Sequence, residues 1–134
     1  MSFKNSEEVR HYMGGIFETA FAHPETGPKL AETGLILRFD FAEPETILIV
    51  DMGGHKILPE GEAVESSARM SMTADTGNAY WQGKVNLALA MAKSRIKVDG
   101  NVASLLKLAP LAKKLYPIYI ENLRKDGRDD LLVK

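Results

Sequence analysis

Apolar residues recur along this chain with two periods. Val9, Tyr12, Met13, Ile16, Phe17, Ala20 and Phe21 follow i, i+3, i+4, i+7 spacing, which gathers them on one face of a helix. Asn5 and Glu8 stand ahead of it with capping-box spacing, Asn replacing the usual Ser or Thr. Gly14 and Gly15 each weaken this helix by roughly 1 kcal/mol relative to Ala, and such a pair permits close packing or a kink. Pro24 ends it, because the residue before a proline avoids the helical region. A short second helix is predicted over Glu25 to Glu32, closed by Gly34.

The period then falls to two. Leu35, Leu37, Phe39 and Phe41 alternate with Ile36, Arg38 and Asp40, a strand with one buried face. Thr46 to Met52 is apolar on both faces at Ile47, Leu48, Ile49 and Val50 and belongs inside a sheet. The short Glu43-Pro44-Glu45 turn between them predicts an antiparallel pair. Ala68, Met70 and Met72 alternate with Arg69, Ser71 and Thr73 as a third strand. Arg95 to Asp99, through Ile96 and Val98, makes a fourth. About 20 residues separate these last two, enough for a parallel crossover. Ile57 to Ser67 is polar and fits neither period.

That connection holds the most unusual stretch. Asp75 is a natural N-cap, Gly83 a natural stop, and Asn86 can cap the next helix. Leu87 to Ala92 contains no polar residue. A helix apolar on every side must be enclosed by protein, face an apolar cavity or face a membrane. It is too short to span a bilayer, which takes about 20 residues, so it is either plain core or the wall of a pocket. Gly100 turns the fourth strand into a helix at Asn101 to Leu108. Pro110 and Pro117 then predict short helices. Leu111, Leu115, Tyr116, Tyr119, Ile120 and Leu123 form apolar faces opposite Lys113, Lys114, Arg124, Lys125 and Arg128. The order of helices and strands predicts an α+β layout.

Composition narrows the function. With 134 residues, 45% of them hydrophobic, the chain can build a core without metal or disulfide staples. It has no cysteine, which removes disulfides, thiol nucleophiles and thiolate metal sites. A net charge of -1 is unlike the basic footprint of a nucleic-acid binder. No apolar run reaches membrane-spanning length. The first residues lack a signal-peptide core, and the final Leu-Leu-Val-Lys matches no address signal. A cytoplasmic protein is the expectation.

Candidate chemistry is sparse. None of the 3 histidines has a partner at i+3 or i+4, so no helical metal pair exists. His55 can converge with Asp51 and Glu60 as ligands or as an acid–base set, or it can sit in a solvated turn. No nucleophile elbow or phosphate loop is present. No enzyme, metal or cofactor is therefore expected. Tyr80 and Trp81, and the methionines 13, 52, 70, 72 and 91, are either core or an adaptable lining for variable apolar ligands. The basic residues from Lys113 to Arg128 form either a solvated face or a surface that docks on anionic membranes.

Taken in order, several of these pieces resemble the sterol-carrier-protein type domain, a lipid-transfer family also found appended to larger enzymes. They are Asp75, Trp81, Gly83-Lys84-Val85-Asn86, Leu87 to Ala92, Arg95-Ile96-Lys97-Val98-Asp99-Gly100-Asn101 and Leu105-Leu106-Lys107-Leu108. The strands at Leu35 to Phe41, Ile47 to Met52 and Ala68 to Thr73 fall in the family's order. Two positions depart from the pattern: Leu87, where the family often has proline, and Ser94, where it often has glycine. The peroxisomal ending of eukaryotic members is absent.

The resemblance implies a single domain over residues 1–134 with no catalytic residues of its own. It implies an α+β fold: a small, mostly antiparallel five-stranded sheet with helices packed on one face, enclosing an apolar tunnel. The fifth strand is expected from Gly61 to Ser66 or from an edge. The expected ligand is a fatty acyl chain, a sterol-like molecule or another elongated lipid. Met70, Met72, Trp81, Leu87, Met91, Leu105, Leu108, Leu115 and Tyr119 are its expected lining. Transient membrane-surface contact, no nucleic-acid partner, and a monomer or weak homodimer complete the expectation. The alternative is an accessory domain that binds a partner enzyme or a second copy of itself beside the Ile57 to Ser67 region.

Overall fold

The computed structural model describes residues 3–59 and 65–133, apart from the side chain of Lys107. Helix α1 (Ser6–Ala22) begins as its spacing predicts: Asn5 Oδ1 accepts from the Glu8 backbone N–H at 3.0 Å. The Glu8 carboxylate reaches one residue further back than in a capping box and accepts from the Lys4 N–H at 2.8 Å. The predicted face is buried from Val9 to Ala20, and Phe21 is half-buried. Helix α2 (Thr26–Thr33) ends at Gly34, which takes the left-handed conformation (φ 62°) that glycine adopts without strain.

Strands β1 (Ile36–Ala42) and β2 (Thr46–Asp51) pair antiparallel, as the short turn requires. The fifth strand is β3 (Lys56–Leu58), an edge beside β2. It lies upstream of the Gly61 to Ser66 candidate, of which residues 61–64 are outside the described residues. Being 3 residues long, with Lys56 exposed, it is a poor template for strand addition.

Strand β4 (Ala68–Thr73) pairs parallel with β1, and β5 (Lys97–Gly100) pairs antiparallel with β4. The sheet order is β3-β2-β1-β4-β5. The parallel crossover expected between the last two strands is therefore corrected to an antiparallel return. The chain leaves β4 through α3 (Ala74–Trp81), doubles back through α4 (Leu87–Ala92), and re-enters with Lys97 opposite Ser71, at the end where β4 finished. The cap of α3 also differs from expectation. Thr73 Oγ1 accepts from the Thr76 N–H at 3.1 Å, and Asp75 falls in the first turn.

Helix α5 (Val102–Lys107) leads into α6, which runs unbroken over Ala109–Lys125. Pro110 and Pro117 do not split it. Pro110 occupies the first turn, where its missing N–H is an orphan anyway. Pro117 and Lys113 are both on the exposed side, so the Lys113 carbonyl that loses its helical donor meets solvent instead.

Among the described residues most helices bury their apolar faces, although Leu106 of α5 is 51% exposed. Leu37, Phe39 and Phe41 of β1, Leu48 and Val50 of β2, and Met70 and Met72 of β4 point into one core with α1, α3 and α6. The clearest exception is α4. Only Ala90 of Leu87–Ala92 is buried, and Leu89 is 54% exposed, so the expectation of an enclosed helix is corrected. A helix of 6 residues offers the core one short side, and this sequence has no polar residue to mark the other. Among the described residues no helix is long and apolar enough to cross a membrane.

Arg128 ties the ends of this layer together. Its guanidinium donates to Glu8 at 2.9 Å and to Asp130 at 3.0 Å, and lies 5.6 Å from the Tyr12 ring centre. It thus leaves the basic face expected on α6 and becomes a half-buried bridge. The Lys4 backbone N–H, then Arg128, hold the Glu8 carboxyl below its usual range, and the Arg128 hydrogen bond does the same for Asp130. Depressed carboxylates contribute stability above their unfolded pKa and lose it as pH falls through the folded value. Arg128→Met is therefore expected to lower the urea midpoint at neutral pH, with the deficit closing as pH drops below about 4. Urea titrations across that range check it.

Candidate functional site

The hollow of this molecule forms where the two layers fail to touch completely. From the sheet come Leu37 and Phe39 of β1, Met70 of β4, and Met52 just beyond β2. From the helices come Phe17, Leu30, Tyr80, Trp81, Leu105, Leu108, Ala109, Leu111, Ala112 and Leu115. Trp81 is fixed by three edge-on rings: Phe17 at 5.5 Å, Tyr80 at 5.2 Å and Tyr116 at 6.3 Å. Tyr80 and Trp81 are the lining residues whose side chains carry an O–H or N–H, and burial pushes the Tyr80 phenol well above the usual range. The cavity measures about 30 Å³. That is room for little more than a water, against roughly 300–1,000 Å³ for a pocket holding a drug-sized ligand. The apolar tunnel expected between sheet and helices is present only as this small hollow.

Five of the nine expected lining residues meet there: Met70, Trp81, Leu105, Leu108 and Leu115. The other four lie elsewhere. Met72 is buried in the core beside Gly77 of α3, away from the cavity, and Leu87 borders a groove at the surface. Met91 is half-buried on α4. Tyr119 is fully buried but serves a polar cluster, its hydroxyl donating to Asn78 Oδ1. Gln82 donates to Asn78 Oδ1 and to the Leu131 carbonyl, both at 2.9 Å, and Asn78 donates to that carbonyl at 2.8 Å. Phe17, Leu37 and Phe39 were readable as buried faces, and nothing in the spacing distinguishes a cavity wall from solid core. Tyr80 stands beside Trp81 as either core or lining but is not among the nine expected, and Ala109 carries no signal of its own.

Two further hollows are open and more polar. The outer sheet groove, about 660 Å³, holds Arg38, Arg69, Arg95 and Lys97 against Asp40 and Glu45. Asp40 pairs with Arg38 at 2.7 Å and with Arg69. The surface groove, about 490 Å³, runs between the loop into α4 and the start of α6, past Lys84, Leu87, Leu106 and Lys113. The latter two rows of charge differ: the sheet groove has its own acids, and the surface groove has none in its lining.

His11 lies on α1 facing Asp126 at 3.4 Å, and His23 and His55 sit in turns. His55 donates from Nε2 to the Gly27 carbonyl at 2.8 Å and stacks on Phe21, while Asp51 accepts from the Gly54 N–H at 3.0 Å. Glu60, the third member of the candidate set, lies outside the described residues. Among the described residues no group of three His, Asp or Glu side chains is placed to hold a metal.

A mixed sheet roofed on one face by helices, with a small apolar hollow between the layers, defines the α+β class of this domain. The chain belongs to the SCP-2 sterol transfer family, whose model matches residues 17–113. Its fold is shared with the sterol carrier protein domain 2 of Helicoverpa armigera: TM-score 0.69, 21% identity, 87% of this chain and 95% of that one covered. It is shared with sterol carrier protein 2 from Yarrowia lipolytica in its apo form: TM-score 0.64, 14% identity, covering 86% and 96%. The same holds for sterol carrier protein-2 of Aedes aegypti, solved in complex with the C16 fatty acid palmitate: TM-score 0.57, 22% identity, covering 84% and 96%. No curated protein sequence matches this chain.

Proposed function

We propose that this chain, one domain over residues 1–134, binds an elongated apolar ligand between its sheet and helices and releases it elsewhere. The observation that carries the reading is the cavity itself, walled by apolar side chains from both layers. The palmitate complex of a structural relative supports it. Burying about 12 methylenes yields roughly 10 kcal/mol gross at about 0.8 each. Association consumes about 4–15 kcal/mol of that. Apparent affinity falls further in proportion to the fraction of molecules whose cavity is open. Micromolar, shape-tolerant binding follows, which suits a carrier that must let go.

Native mass spectrometry of freshly purified protein, followed by organic extraction, tests this. Co-purified lipid, or saturable uptake of the fluorescent fatty acid cis-parinarate, is the expected result. Neither lipid nor uptake would leave the accessory-domain reading standing in its place.

A further inference from the structure

The surface groove and the inner cavity have two residues in common. Tyr80 and Ala109 line both, so they stand between a surface hollow of about 490 Å³ and an inner one of about 30 Å³. On the outer side of these two residues the lining carries two cations, Lys84 and Lys113, and no carboxylate. Both lysines are exposed, and among the described residues neither has an ion-pair partner. Lys114, the next residue on the helix, is paired with Glu25 at 3.2 Å. Beside the lysines stand Leu87 and the 51% exposed Leu106. A wet apolar surface with unpaired positive charge at its rim and an apolar cavity behind it matches a molecule with one anionic end and one greasy end.

We propose that this groove is the entry port of the cavity. The occupant is a single-chain amphiphile with an anionic head, a long-chain carboxylate. Its head rests between Lys84 and Lys113, and its tail passes Leu87 and Leu106 and displaces the Tyr80 ring from Ala109 to reach the interior. This rests on the lipid-binding reading above and adds to it an orientation, a head-group class and a gate. It also gives the bare side of α4 a use, since Leu87 at its start forms part of the port wall.

The test compares cis-parinarate with its methyl ester, which keeps the tail and removes the charge. Titrations of the whole chain at low ionic strength give the acid-over-ester preference of the wild type and of Lys84→Ala/Lys113→Ala. The preference is expected to fall about five- to tenfold in the double variant, the scale of two exposed charge contacts. It is also expected to shrink in the wild type as salt is added. Ala109→Phe, which adds bulk between the two hollows, is expected to slow uptake of both probes at least severalfold, with circular dichroism melts reporting whether the fold is kept. If that variant fails to fold, the lysine pair, exposed and replaceable, decides alone. A preference that survives the double substitution overturns the port while leaving the lipid-binding reading intact. A wild type that takes up neither probe overturns both.

Discussion

Leu115→Ala is expected to unfold in urea with a stability loss of about 2–5 kcal/mol. Leu115 is 1% exposed and sits on the second turn of α6 against the cavity. Its truncation removes transfer free energy and leaves a void that the surrounding elements close only in part, and the spread of that figure reflects how far they close it. Here the void adds to existing space rather than opening a new one. Saturating hexadecanoate is therefore expected to raise the variant's urea midpoint by more than it raises the wild type's, because ligand that binds only the folded state stabilises by mass action. Equal shifts would mean that the ligand does not reach this cavity. A loss under about 1 kcal/mol would mean that Leu115 is not part of a packed wall.

Asn78→Ala is expected to cost about 2–4 kcal/mol. Asn78 is 4% exposed and stands at the centre of a cluster that joins α3, α6 and the segment after the Asp129–Leu131 turn. Truncation leaves the Tyr119 hydroxyl, on a residue with no exposed surface, without its acceptor. A buried polar group left unpaired carries its full desolvation cost, which exceeds the net worth of the bond it made. The Leu131 carbonyl retains Gln82, and Gln82 Oε1 still accepts from the Val133 N–H at 2.8 Å, so the cluster is weakened rather than dissolved. Tyr119→Phe, which removes the group that would be stranded, is expected to cost only about 1 kcal/mol. The double variant should be less destabilised than the sum of the two, and urea titrations of all three give that coupling directly.

Much of the architecture is legible wherever one side of an element is polar. The α1 face and the alternation in β1 and β4 each declare which side meets the core, and each lies where its pattern puts it; β2, apolar on both faces, lies inside the sheet as expected. The pattern fails where that contrast is missing. Leu87–Ala92 shows no polar position, so hydropathy cannot say which of its sides faces protein, and it sits largely outside. Pro117 reads as a stop because local geometry disfavours it within a helix, yet the packing of Leu115, Tyr119 and Leu123 on both sides of it keeps α6 whole. The antiparallel pairing of β5 with β4, in place of a parallel crossover, depends on where two short helices return the chain, which no period encodes.

The site was less legible for a physical reason. A cavity wall and a solid core use the same residues, and the difference is an absence of contact that only three-dimensional packing defines. Met70, Trp81 and Leu115 are visible as buried side chains. Tyr80 borders both hollows only because α3 sets it between the cavity and the groove beside Ala109.

Pro117 carries a mechanical implication for how such a cavity gains volume. Its missing hydrogen bond falls near the middle of α6 and divides the helix into two segments. Tyr119 and Leu123 moor the later segment, both with no exposed surface. Ala109, Leu111, Ala112 and Leu115 all belong to the earlier one. A helix flexes most cheaply where a rung of its ladder is already gone. Bending there would carry the earlier turns, Leu115 included, away from the sheet and widen the space they line.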